Sequence, residues 1–236
     1  MAAIPTARER ARAELTFEIK DAARRQLAEV GAAALSVRAI ARELGMASSA
    51  VYRYFPSRDD LLTALIVDAY QALALTLAGA GSRNRRDEYR VRWITLCQAL
   101  RRWAKKHPHE YALIYGSPVP GYRAPRDTIA PAASVIQGFL DIVGEASAAG
   151  TVRPDMAPLP PRLAAQLAEV AAEFAAETPP QVLAATFQAF GQLIGMISLE
   201  LYGHFVGSLD PAGPFFEHAI EGLADLIGLP KRPGAP

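Results

Sequence analysis

Apolar residues recur along this chain at spacings of three and four rather than two, and most such runs are bounded by Gly or Pro. That period predicts helices throughout and leaves no strand, so the fold class is all-α. Ala11, Leu15, Ile19, Ala22, Ala23, Leu27 and Val30 mark a first helix over 8–30, which Gly31 ends. Val37, Ile40, Ala41 and Leu44 mark a short second helix closed by Gly45. A third begins near Ser48 and carries Val51 and Phe55 inward. Pro56 stops it, and Ser57 with Asp60 forms the capping box of a fourth helix over 57–78. Further helices are expected over 87–106, 108–115, 127–149, 162–176 and 180–206, and a last one from Phe215 until Gly228 ends it.

Punctuation between the periodic stretches suggests the divisions. Gly79, Ala80, Gly81 and Ser82 give the strongest boundary by composition, with Arg83, Arg85 and Arg86 after it as a solvated connector. A Pro-rich stretch over 153–161 breaks the second half, and residues 230–236 read as a disordered tail.

The second and third helices are joined by only Gly45, Met46 and Ala47, so they must cross steeply. A small residue is needed where their backbones meet, and Ala41 supplies it. This is a helix-turn-helix. With Val51 and Phe55 inward, its second helix turns Ser48, Ser49, Tyr52 and Arg53 outward, with Tyr54 at its end. Hydroxyls and a guanidinium hydrogen-bond phosphates and base edges, and the major groove of B-DNA admits one helix.

With Ile40, Ala41, Gly45, Met46, Val51, Tyr52, Tyr54, Phe55, Ser57, Arg58, Asp59 and Leu61 at their spacings, this block resembles the DNA-binding domain of the TetR family of bacterial regulators. The likeness covers about the first quarter of the chain. It implies a three-helix DNA-binding domain over 8–60, a linking helix over 57–78, and a C-terminal helical bundle over 83–229 for ligand binding and dimerisation. Tyr52 and Arg53 are expected to touch bases; Ser36, Tyr54 and Arg58, the last standing where the family carries a phosphate-gripping Lys, to hold phosphates; and Ser48 and Ser49 to do either. Arg38 and Ala47 complete the expected interface. The family has Ser or Thr where this chain has Ala47, so the helix cap is expected to pass to Ser48 or Ser49.

Aromatics in the second half allow two readings, ordinary core or the lining of a cavity for a small, largely apolar effector. The resemblance implies the cavity, with Trp93, Cys97, Leu100, Trp103, Tyr111, Tyr115, Phe139, Phe174 and Phe187 as candidate lining. The final two helices carry more apolar surface than one bundle needs, around Phe190, Ile194, Ile197, Leu201, Phe216, Ile220, Leu223 and Ile227. Pairing them with their two-fold copies, as the family does, makes a homodimer that presents two reading heads to a palindromic duplex.

Composition narrows the picture further. At 236 residues, 51% of them hydrophobic, the chain can bury a substantial core. Cys97 is the one cysteine, so no intramolecular disulfide is possible; a reducing cytoplasm is the expected home. The opening residues have no apolar core of signal-peptide length. The most apolar run, 182–201, is interrupted by Gln188, Gln192 and Glu200, which argues for a buried helix and no membrane partner. Net charge is only +1, but up to Arg58 bases exceed acids by four, and beyond His107 the chain is acidic.

Of the four histidines, His107 and His109 stand two apart and point to different helix faces, with no Cys or Glu at metal-ligand spacing; no metal or cofactor is expected. Cys97 lies in an apolar stripe, and there is no nucleophile elbow, phosphate loop or dinucleotide fingerprint, so no enzyme is expected. The reading is a ligand-responsive dimeric regulator, most often a repressor in such a family. The alternative is a constitutive DNA-binding regulator without an effector.

Overall fold

The computed structural model describes residues 6–83, 88–152, 158–174 and 178–231, and among them there are helices and no strand. The α-helices are α1 (Ala7–Val30), α2 (Val37–Glu43), α3 (Ser48–Val51), α4 (Arg58–Arg83), α5 (Tyr89–Lys106), α6 (Pro108–Tyr115), α7 (Ile129–Ala148), α8 (Pro161–Phe174), α9 (Pro180–Leu201) and α10 (Gly213–Ile227). Short 3-10 turns precede α2 (Ala32–Ala34) and α7 (Arg126–Thr128).

The chain divides into two compact units, and the division differs from the one composition suggested. The first unit comprises Met1–Ala69 with His107–Ile129, and the second Tyr70–Lys106 with Ala130–Pro236. The glycines expected to separate domains instead continue α4 to Arg83, because a Gly costs a helix only about 1 kcal/mol and packing outweighs it. Arg85 and Arg86, residues 153–157 and residues 232–236, on which connector, Pro-rich break and tail were expected, lie outside the described residues.

In the first unit, Ile19, Ala22, Ala23 and Leu27 of α1 are buried together with Val37, Ile40 and Ala41 of α2, Val51, Phe55, and Leu61, Leu62 and Leu65 of α4. The return of 107–129 to this unit has visible causes. Tyr111 on α6 is fully buried. Arg24 on α1 pairs with Glu110 on α6 at 3.4 Å, and the hydroxyls of Thr63 and Tyr122 lie 2.9 Å apart.

The second unit is a bundle around the apolar faces of α5, α7, α9 and α10. Trp93 meets Phe139 edge-on at 4.9 Å, and Phe139 meets Phe190 at 5.6 Å. Leu167 and Ala171 bring α8 against Leu140 and Leu183. Arg90 of α5 is buried although charged. Its guanidinium pairs with Glu221 and Asp225 and donates to the carbonyls of Leu229 and Pro230, so it holds the end of α10 and keeps Pro230 out of the expected tail. Arg92, buried too, grips Glu145 of α7 with both Nη atoms, at 2.5 and 3.2 Å.

Arg58–Gly81, Arg126–Ala148 and Pro180–Leu201 are long and apolar enough to cross a membrane by length and composition alone. Part of each is buried in the protein: Leu62, Phe139 and Leu193 have 2% exposure or less.

Glu200 near the end of α9 accepts from Arg101 at 2.6 and 2.7 Å and from Lys105 at 2.8 Å. The hydrogen bond from Arg101 comes first among the causes that hold its carboxyl below the usual range, with Lys105 adding to it. A depressed carboxyl adds stability that is full above the unfolded value, about 4.3, and is lost as pH falls through the folded one. Glu200→Gln should therefore lower stability by about 1–3 kcal/mol at neutral pH, and thermal melts from pH 7 downward should show the gap to the parent closing in acid.

Candidate nucleic-acid interface

The corner between α2 and α3 starts from one glycine. Gly45 has φ +65°, a left-handed conformation that other residues enter at a cost of about 1–2 kcal/mol. Its N–H bonds to the carbonyl of Arg42 at 3.2 Å, and the N–H of Met46 to that of Ala41 at 2.8 Å, which closes α2 and reverses the chain. Ala41 is buried at the crossing.

α3 is only Ser48–Val51, continued by turns through Tyr54 whose N–H groups bond back to Ala50 and Val51. So short a helix cannot hold itself. Val51, with no exposure, and Phe55, with 6%, pin it from beneath. That fixes what faces out: Tyr52 is 41% exposed, Ser49 and Arg53 are exposed, and Ser48 and Tyr54 are half-buried.

The expected cap does not pass to Ser48 or Ser49. Ala47 occupies the cap position in extended backbone, with no side-chain bond, and both serines already lie inside the helix. Ser36 caps α2: its Oγ accepts from the Ala39 N–H at 3.3 Å, while its own N–H donates to Gln26 at 2.6 Å. Arg38 is exposed on α2. Arg58 is turned inward, with Nε donating to the carbonyl of Leu35 at 3.1 Å and Nη2 to those of Ala32 and Ala33 at 2.8 and 3.1 Å. Three of its donor contacts therefore close the turn before α2, in place of the phosphate grip expected of it.

The cations of this unit fall into two groups. Lys20 and Arg24 share Asp68 at 2.8 and 2.6 Å, Arg25 pairs with Glu43 at 2.7 Å and with Asp21, and Arg58 is spent on carbonyls. Arg8, Arg10, Arg12, Arg38, Arg42 and Arg53 have no carboxylate partner among the described residues. Arg12 instead lies over the Tyr54 ring, 5.2 Å from its centre. Periodicity could not foresee this sorting, because it depends on which acids the fold brings near.

The expected effector lining is brought together only in part. Trp93, Cys97, Leu100 and Phe139 have no exposure, and Trp103 has 5%. Phe174 packs at the edge of the Leu140 cluster, and Phe187 is 38% exposed. Tyr111 and Tyr115, with ring centres 5.3 Å apart, belong to the first unit and not to the bundle that carries the others. Burial pushes the Cys97 thiol well up, so it stays protonated and serves as a small apolar side chain. The indole Nε1 of Trp93 is buried and has no hydrogen-bond partner.

The expected dimer stripe needs a larger correction. Ile197, Phe216, Ile220, Leu223 and Ile227 are buried inside the protomer, where α10 packs on α9 and α5, and only Phe190, Ile194 and Leu201 keep partial exposure. The apolar residues that face outward near there are Phe187, Leu199, Tyr202, Val206 and Leu209.

A family model described as bacterial regulatory proteins, tetR family, matches residues 19–65, and one described as tetracyclin repressor-like, C-terminal domain, matches 93–223. The HTH-type transcriptional regulator Rv1816 of Mycobacterium tuberculosis is 42% identical over 198 residues, covering 83% of this chain and 84% of its own. The HTH-type transcriptional regulator Mb1846 of Mycobacterium bovis matches to the same extent. A solved structure described as a regulatory protein, SCO4313, is 37% identical with a TM-score of 0.73, over 93% of this chain and 100% of the other. A tetR-family bacterial regulatory protein from Rhodococcus RHA1, 18% identical with a TM-score of 0.60 over 92% and 98% of the two chains, shares the fold.

The two fates of arginine in the first unit can be separated by thermal melting. Arg58→Ala, which removes a donor from three carbonyls, should cost about 1–3 kcal/mol, or several degrees at roughly 2–4 °C per kcal/mol. Arg53→Ala removes an exposed, unpaired side chain and should stay within about 0.5 kcal/mol of the parent. Equal losses would contradict this assignment.

Proposed function

The chain belongs to the TetR family of bacterial regulatory proteins and is a DNA-binding transcriptional regulator, not an enzyme; from that premise we propose that it is a homodimeric, cytoplasmic repressor that reads a palindromic operator and is released by a small apolar effector. The observation that carries the reading is the display of Ser49, Tyr52 and Arg53 outward from α3 while Val51 and Phe55 are buried directly beneath. Tyr52 and Arg53 take the base edges. Arg38 and Tyr54, beside them, take phosphates, and Ser48 and Ser49 take either. Arg58 and Ser36 act by holding the backbone that positions these side chains.

One such corner spans few base pairs, and two copies about 34 Å apart read both halves of a palindrome. The outward apolar residues Phe187, Leu199, Tyr202 and Val206 support a dimer face on the second unit. The unpartnered Trp93 Nε1 supports an effector site among the bundle aromatics. A buried donor without an acceptor costs about 1–3 kcal/mol, which an effector carrying a hydrogen-bond acceptor relieves. An effector that prefers a dimer with its reading heads out of register needs only ~1–3 kcal/mol of preference to weaken operator binding roughly 5–150-fold.

Fluorescence anisotropy on duplexes tiled across the region upstream of the protein's own gene tests the operator reading. The parent should bind one tile, and Arg53→Ala or Tyr52→Ala should each weaken that binding by about 1–3 kcal/mol. Unchanged affinity in both variants would overturn the assignment.

The effector is tested by thermal shift against a panel of apolar compounds that bear a single carbonyl or ether oxygen. A binder at a hundred times its Kd adds about 2.7 kcal/mol, and Trp93→Phe, which keeps one aromatic ring but loses the pyrrole ring with its N–H, should abolish that gain. A panel that stabilises nothing would favour the constitutive regulator instead, a reading to which the self-filled packing of Trp93, Phe139 and Phe190 already lends weight.

A further inference from the structure

α1 is longer than its packing requires. Its buried residues begin only at Ile19; from Ala7 to Glu18 every position is exposed except Leu15 and Thr16, which are half-buried. Residues 7–18 therefore extend the helix by about 18 Å at 1.5 Å per residue without contributing a buried side chain. A stretch this short and this exposed is marginal as a helix on its own. Here it starts on a complete capping box: the Thr6 hydroxyl accepts from the Glu9 N–H at 3.2 Å, and the Glu9 carboxylate accepts from the Thr6 N–H at 2.7 Å. The extension is thus held in shape from its first residue, with no core to hold it.

Charge is divided between its faces. Glu14 and Glu18 follow Arg10 at steps of four, so those three share one side of the helix. Arg8 and Arg12, also four apart, share the opposite side with Leu15 and the buried Ile19. Neither Arg8 nor Arg12 has a carboxylate partner among the described residues. Arg12 reaches Tyr54, its guanidinium 5.2 Å from the centre of the ring. Tyr54 ends the outward-facing segment that carries Tyr52 and Arg53, so the basic side of the extension is tied to the reading head. One turn further out, about 5–6 Å beyond Arg12, stands Arg8.

We propose that the amino-terminal half of α1 is a second DNA-contacting arm, in which Arg8, aligned by the stacking of Arg12 on Tyr54, grips a duplex phosphate outside the stretch read by α3. The proposal rests on the operator reading above and extends it to flanking duplex. Phosphate contacts of this kind carry no sequence information; they set register and add salt-dependent affinity. Arg10 takes no part, because its side of the helix carries two carboxylates that duplex DNA repels.

The test compares Arg8→Ala with Arg10→Ala, which remove the same charge from opposite sides, in the full-length protein. Anisotropy on an operator duplex with ten base pairs of flank is followed from roughly 50 to 200 mM salt. Each lost phosphate contact lowers the slope of log affinity against log salt by about 0.9, so a dimer with two arms loses about 1.8. Over that fourfold range the parent should lose roughly twelvefold more affinity than Arg8→Ala. Arg10→Ala should follow the parent. On a duplex trimmed to the palindrome, the parent should fall to the level of Arg8→Ala. Equal behaviour of the two variants, or a parent indifferent to the flank, would overturn the arm while leaving the operator reading intact. A parent that binds no tile overturns the operator reading and the arm with it.

Discussion

The reading surface depends on the burial of Val51 and Phe55 beneath a helix too short to form alone. Four residues make less than one full cycle of backbone hydrogen bonds, so the direction of Tyr52 and Arg53 is set by what lies under them. Those two anchors reach the core only because the chain reverses at Gly45 and because Ala41 lets the backbones approach. Sequence, turn geometry and packing agree at this corner, and that agreement makes so small an element rigid enough to present side chains to a partner.

Around it, the first unit uses its arginines in two ways. Arg24, Arg25 and Arg58 are paired with carboxylates or carbonyls and act as ties between α1, α2, α4 and α6. The unpaired ones lie on the extension of α1, on the outer side of α2 and at the end of α3. A modest surplus of positive charge thereby becomes a localised one, because acids elsewhere neutralise the rest. In the second unit, Arg90, Arg92 and Arg101 serve the first purpose, joining α5 to α10, α7 and α9.

Much of this was legible in the order of residues. The corner at Gly45 could be placed because its signals are local: a helical period, a glycine, and a second period after three residues. The ends of α6 and the start of α9 were readable for the same reason, as each is marked by Pro or Gly. What could not be read depends on distant partners. An apolar stripe on α10 looks the same whether it meets a second molecule or the protomer's own α5 and α9, and here it meets the latter. Arg58 stands where a phosphate ligand was expected, yet the carbonyls it reaches are more than twenty residues earlier in the chain. Nor does a glycine-rich stretch reveal whether a helix will run through it, as α4 does past Gly79 and Gly81.

The return of residues 107–129 to the amino-terminal unit makes that unit discontinuous. A ribosome that has released only the first seventy residues has made the corner and its supporting helices but not Tyr111, which occupies part of the same interior. Completion must wait until α5 has been synthesised and the chain has come back. An amino-terminal fragment ending near Ala69 therefore lacks part of the reader's own interior: half of α4 and the whole of α5 are an insertion within it.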